Sequence, residues 1–165
     1  MKTPVYSFVA YSGTGKTTLI EKLISELKQR GLRLAVIKHD AHEFEIDHEG
    51  KDSWRFTKAG ADITIVASAT KAAIIEQRPV TLDMLLEKIT DVDLIITEGY
   101  KSGPWPKIAV CRAATGKPLP IPEKDCLAIV TDLPPETDTP RFELDDVSGI
   151  AEFIINDAKI RKDDK

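Results

Sequence analysis

The stretch "AYSGTGKTTL", Ala10 to Leu19, constrains the fold more than any other, because it reads as a phosphate-holding loop between a strand and a helix. Such loops carry a glycine, four free positions, then Gly-Lys-Ser/Thr. Here Ala10, Gly15, Lys16 and Thr17 occupy those places. Gly13 and Gly15 let the backbone bend so that successive N–H groups face an anion. Lys16 has the reach for β- and γ-phosphates, and the Thr17 hydroxyl is a Mg²⁺ ligand. Ala10 departs from the usual glycine with the smallest possible side chain. With Ser12, Thr14 and Thr18, these residues form the expected nucleotide-binding loop.

Upstream, "VYSFVA" is β-prone; downstream, Leu19, Ile20, Leu23, Ile24 and Leu27 recur at helical spacing before Gly31. The helix N-terminus at the loop favours a bound anion. Residues 32–38, "LRLAVIK", read as a second strand, and 54–61, "WRFTKAGA", as a short helix. "DITIVASATKAAIIEQ" suggests two strands around a turn near Ala69 and Thr70. Residues 81–89 suggest a helix capped by Thr81. Leu94 to Thr97, "KIAVCR" and "CLAIVTD" suggest further strands, and Val147 to Ala158 a last helix. Strands alternating with helices predict a three-layer α/β domain resembling P-loop NTPases, with a mainly parallel sheet and an antiparallel hairpin extension. One domain is expected over 1–158, with a charged tail over 159–165.

The net charge of −4 gives no general attraction to nucleic acid or anionic membrane. No apolar run approaches the roughly 20 residues of a membrane span, and the N-terminus lacks a signal-peptide core. A cytoplasmic location is expected. Cys111 and Cys126 form no metal or redox motif and read as reduced core residues.

A Mg²⁺-nucleotide site needs a carboxylate at the end of an apolar strand near the loop. "DLIITEG" offers Asp93 and Glu98, which at about 3.3 Å per residue lie roughly 16 Å apart. Ligands collect at the carboxyl ends of parallel strands, which selects Glu98 and leaves Asp93 as a solvated strand-start residue. His39, His42 and His48 crowd a segment with Asp40, Glu43, Glu45, Asp47 and Glu49. Their spacing fits no familiar zinc pattern, and Mg²⁺ prefers oxygen, which suits Asp40 or Asp47. The segment reads as a mobile loop beside the γ-phosphate or as a plain solvated loop. Glu98 and Asp47 are thus the candidate catalytic residues, and with Thr17 the candidate Mg²⁺ ligands.

Many GTP-binding proteins read guanine with Asn/Thr-Lys-x-Asp after a late strand. Here "LAIV" ends in Thr131 and Asp132 with no lysine between them. Asp132 is either the base reader or a turn residue before Leu133-Pro134. Lys101, Lys107 and Arg112 either meet an anionic partner or form the solvated edge of a β-hairpin. Trp105, between two prolines, reads as a packed loop anchor.

The blocks "AYSGTGKTTL", "IKHDAHEFEIDHEGKDSWRFTKAGA", "DLIITEGYK" and "PKIAVCR", in this order, resemble molybdopterin-guanine dinucleotide biosynthesis protein B across most of residues 5–132. The "GKDSWRFTKAGA" and "EGYK…PK" blocks are the specific part. The resemblance implies a dimeric GTP-binding protein of molybdenum-cofactor biosynthesis, with GTP and Mg²⁺ bound and slow GTP hydrolysis. It would act mainly as an adaptor, assisting molybdopterin-guanine dinucleotide biosynthesis protein A in attaching GMP to molybdopterin. Gly13, Gly15, Lys16, Thr17, Asp47, Lys51, Asp52, Ser53 and Glu98 match family blocks. Two rivals remain on the residues alone. An ATP-dependent small-molecule kinase would need more arginines over the phosphates; a nucleotide-gated metallochaperone would use the histidines.

Overall fold

Tyr6 and Phe8 alternate with Ser7 and Val9, and all four are fully buried, so the first strand is covered on both faces. The computed structural model describes residues 3–39, 44–134 and 137–163. Its elements are β1 (Val5–Val9), α1 (Lys16–Gln29), β2 (Leu34–Lys38), α2 (Asp52–Lys58), β3 (Ile63–Ala67), β4 (Ala72–Glu76), α3 (Leu82–Lys88), β5 (Leu94–Glu98), β6 (Lys107–Val110), β7 (Ala128–Val130), β8 (Arg141–Phe142) and α4 (Val147–Asp163). The chain divides into two compact units, Met1–His39 with Asp91–Lys165, and Asp40–Thr90, where the sequence suggested one domain. α4 runs through Lys159 to Asp163, so most of the expected tail is helical.

In the first unit six strands lie in the order β2-β5-β1-β6-β7-β8. Every adjacent pair is parallel. The antiparallel pairing expected from the sequence belongs to β3 and β4 in the other unit. β8 is a strand the sequence did not reveal, since two residues carry no periodicity. β6 lies between β1 and β7, so Lys107 and Arg112 are not on a hairpin edge.

One face of the sheet packs on α1 and α4. Leu19, Ile20, Leu23 and Leu27 meet Tyr6, Phe8, Ile96, Ile108 and Val130, joined by Ile150 and Ile154. The Tyr6 hydroxyl donates to Asp157 Oδ2 at 2.6 Å, giving a buried aromatic ring a polar outlet. α1 stops at Gly31, whose φ is +84°; the Leu32 N–H then donates back to the Leu27 carbonyl. On the opposite face Val9, Ala109 and Ile129 are covered by Leu119, Ile121 and Cys126 from the β6–β7 connection. Burial pushes the Cys126 thiol up to about 11, with Glu123 and Asp125 adding to the shift, so it stays protonated at neutral pH. Cys111 is shifted the same way by burial.

The second unit is built on the β3–β4 ribbon. Ile65 pairs with Ile74, and Thr64 is buried under α2, where its hydroxyl meets that of Thr57 at 2.8 Å. The Thr81 side chain accepts from the Met84 N–H, the helix cap the sequence suggested. α2 begins two residues before the stretch 54–61, since Asp52 suits a helix first turn. The Lys88 ammonium, then the Arg78 guanidinium, hold the Glu76 carboxyl below its usual range.

The Ser7 and Thr97 hydroxyls meet at 2.7 Å between β1 and β5, and both residues are fully buried. Removing one leaves the other unpaired, which costs about 1–3 kcal/mol. Ser7→Ala and Thr97→Val are each expected to lower stability by that amount in urea unfolding. The double variant should lose less than the sum, with a favourable coupling of about 1 kcal/mol.

Candidate functional site

The phosphate loop leaves β1 at its carboxyl end, in the middle of the sheet. Gly13 and Gly15 have φ of +84° and +88°, a region that an L side chain rarely enters, which explains both glycines. Thr14 is buried and its hydroxyl donates to the Tyr11 carbonyl at 3.1 Å, closing the loop on itself. α1 then starts at Lys16. Thr18 is exposed on its first turn.

Glu98 is the acidic partner. β1 and β5 pair with Phe8 opposite Glu98, and β2 places Lys38 opposite Glu98 from the other side. The Gly99 N–H donates to the Phe8 carbonyl and the His39 N–H to the Glu98 carbonyl, both at 3.0 Å. With its backbone so held, Glu98 Oε1 lies 3.0 Å from Lys16 Nζ and accepts from the Thr17 hydroxyl at 3.3 Å. Asp93, at the other strand end, accepts from the Arg33 N–H at 2.8 Å and so ties β2 to β5 there. It is a structural acid with its own bond, away from the loop.

The Thr17 hydroxyl and Glu98 carboxylate are adjacent hard oxygen donors beside a loop for phosphate. Such a pair fits a Mg²⁺ ion, which keeps several waters and takes few protein ligands. Asp47 belongs to the second unit. The Ser53 side chain, then the His48 N–H, lower its pKa, and its Oδ2 is shielded with no hydrogen-bond partner. Asp40, His42 and Glu43 lie outside the described residues. Among the described residues no group of three or more His, Cys, Asp or Glu side chains could hold a metal.

After Glu98 the chain turns sharply. Gly99 has φ of +101°, and a Cβ there would approach His39 Cβ to 3.3 Å. Tyr100 has φ of +54°, and its ring lies 4.6 Å from that of His39 and 6.3 Å from that of Trp105. A Cβ on Gly103 would fall 2.3 Å from the Trp105 ring, so the ring rests on bare backbone. Trp105 is thus a packed anchor. Lys107 Nζ donates to the Gly103 carbonyl at 2.6 Å, fastening the turn from inside. Lys101 Nζ lies 4.4 Å from the Tyr11 ring centroid.

On the other side of the loop is the turn after β6. Arg112 Nη2 lies 3.4 Å from where a Gly15 Cβ would be. Lys117 Nζ donates to the Ser12 carbonyl at 3.0 Å. The Ala113 N–H donates to Asp132 Oδ1 at 2.6 Å, and the Thr131 hydroxyl accepts from the Leu133 N–H at 3.1 Å. One oxygen of Asp132 therefore braces the turn, while Oδ2 has no partner among the described residues. Lys117 was not legible as a site residue: 105 positions separate it from Ser12, and no local pattern marks it. A cavity of about 500 Å³ opens nearby, lined by Leu119, Ile121, Leu133 and Arg141, but the convergent charges are at the loop.

The family model described as "Molybdopterin guanine dinucleotide synthesis protein B" matches residues 5–132. The chain is 43% identical to the molybdopterin-guanine dinucleotide biosynthesis adapter protein of Haemophilus influenzae, over 93% of this chain and 88% of that one. It is 38% identical to the protein of the same name from Escherichia coli, over 92% and 91%. The crystal structure of Bacillus subtilis MobB superposes with a TM-score of 0.76 at 28% identity, covering 91% of this chain and 97% of that one.

The arrangement of glycines, Lys16 and helix N-terminus is expected to bind inorganic tripolyphosphate without help from a base. A charge-assisted contact contributes about 1.5–3 kcal/mol, so Lys16→Ala should weaken that binding tenfold or more in calorimetry. Unchanged affinity in a folded Lys16→Ala protein would remove the phosphate role of the loop.

Proposed function

This chain belongs to the molybdopterin guanine dinucleotide synthesis protein B family, and on that footing we propose that it is a GTP-binding adaptor in molybdopterin-guanine dinucleotide biosynthesis. The observation that carries the nucleotide part is the meeting of Lys16, Thr17 and Glu98 at the carboxyl ends of β1 and β5. In this reading the loop N–H groups and Lys16 hold the triphosphate. Thr17 and Glu98 hold hydrated Mg²⁺, which when bound neutralises phosphate charge. Hydrolysis is slow and serves the adaptor role. The partner is the protein that joins GMP to molybdopterin, with Lys101 available for an anionic group.

A homodimer and a cytoplasmic location complete the proposal. The ribbon supports the first: Ile63, Ile65 and Ile74 are 50%, 61% and 63% exposed on one face of β3–β4. A two-stranded ribbon is marginal alone, and such a face suits burial by a second copy. Among the described residues no helix is long and apolar enough to cross a membrane.

Two measurements test the nucleotide site. Glu98→Gln removes the carboxylate but keeps the shape. It is expected to abolish most of the gain in GTP affinity that Mg²⁺ gives, with binding in a metal chelator nearly unchanged. Asp93→Asn should match the wild type in both conditions; equal effects from the two variants would show that Glu98 has no special place.

Asp132 is proposed to read the base. A carboxylate only accepts, and guanine offers the N1–H and N2 amino donors side by side, whereas adenine presents an acceptor at N1. An unpaired group costs about 1–3 kcal/mol, so GTP should bind about ten- to a hundredfold more tightly than ATP. In Asp132→Asn the amide oxygen can still accept from the Ala113 N–H, so the turn survives while the second position becomes a donor. That variant should lose GTP and gain xanthosine triphosphate in a competition assay. Retained GTP preference would return Asp132 to a purely bracing role.

A further inference from the structure

The guanine-reading pattern of many GTP-binding proteins has a lysine beside its aspartate, and none lies between Thr131 and Asp132. The structure brings one from elsewhere. Lys117 Nζ donates to the Ser12 carbonyl, inside the phosphate loop, at 3.0 Å. We propose that Lys117 is a positioning residue of the nucleotide site, supplied by the β6–β7 connection, and that it holds the loop in its anion-binding shape. This rests on the nucleotide reading above.

The physical argument begins with one peptide plane. In a trans peptide the carbonyl and the following N–H point in opposite directions. An ammonium fixed on the Ser12 carbonyl therefore fixes the direction of the Gly13 N–H on the opposite side of that plane. Gly13, at φ of +84°, has no side chain to hold its peptide, so without an external contact the plane is free to turn. A loop that must present several N–H groups together loses affinity when one is turned away.

Lys117 itself is held in place at both ends of its turn. Its carbonyl accepts from the Cys111 thiol at 3.3 Å, and its N–H donates to the Thr115 hydroxyl at 3.3 Å. The Thr115 hydroxyl in turn donates to the Arg112 carbonyl at 2.8 Å, and Gly116 at φ of +62° lets the chain reverse. The Ala113 N–H ties the same turn to Asp132. Residues 111–117 thus connect the end of β7 to the phosphate loop through side-chain bonds at each end. Arg112 stands in this turn with its guanidinium beside Gly15, and that guanidinium makes no hydrogen bond or ion pair among the described residues. The exposed Lys117 ammonium is not needed to neutralise a buried charge, so its bond to Ser12 serves the geometry of the loop.

The test compares wild type, Lys117→Met and Lys117→Arg by calorimetry with GTP and with inorganic tripolyphosphate, at low and at about 0.5 M salt. Loss of a charge-assisted bond predicts that Lys117→Met binds both ligands about tenfold more weakly, with an unchanged melting temperature. Lys117→Arg, which keeps a donor of similar reach, should recover most of that affinity. Because the effect is geometric, the tenfold ratio should persist at high salt, where the Debye length falls to a few ångströms. Equal affinities for Lys117→Met and wild type would overturn the assignment. A ratio that collapses at high salt would also overturn it, since that is the mark of remote charge. If the wild type itself binds neither ligand, the nucleotide reading fails and the proposal falls with it.

Discussion

The contact of Glu98 with Lys16 and Thr17 is the constraint on which the site depends. It exists only because β1 and β5 lie side by side in parallel with Phe8 opposite Glu98. A shift of one residue would turn Glu98 to the other face of the sheet and leave the loop without an acid. The core explains why that shift does not occur. Tyr6 and Phe8 face the helices while Ser7 meets Thr97 behind them, so any slip would place hydroxyls among Leu23 and Ile154.

As a source of stability this ion pair is minor. Both side chains are mostly buried, at 17% and 16% exposed, so the cost of taking the two charges out of water offsets much of their attraction. Its meaning is functional. The loop collects positive character from N–H groups, a helix terminus and Lys16, and Glu98 supplies the opposing charge when no anion is bound. In the proposed nucleotide reading, an incoming phosphate would compete for Lys16 and a metal ion would give the freed carboxylate a new partner, so that ligand and metal would be linked through one side chain.

The two units answer different needs. In the first, six parallel strands and two helices bury the core that fixes the loop. In the second, a two-stranded ribbon keeps three isoleucines exposed and is tied to α2 by the Thr64 and Thr57 hydroxyls. A unit with so little interior is suited to burying its exposed face against another surface.

The amino-acid sequence alone determined the local features. Gly13, Gly15, Lys16 and Thr17 define a phosphate loop because their chemistry is carried within a few residues; Thr81 defines a cap for the same reason. It also separated Glu98 from Asp93, since strand length and the carboxyl-end rule are enough to place two acids on opposite edges. What it left open were contacts between distant segments. Strand β8 is two residues long and exists because β7 offers it an edge. The turn after β6 looked equally like a hairpin edge until β6 was seen between β1 and β7. The bond of Asp132 to Ala113 spans 19 positions, and that of Lys117 to Ser12 spans 105. No periodicity encodes such pairs. They are decided by which strands lie together, and that follows from burial of the whole core.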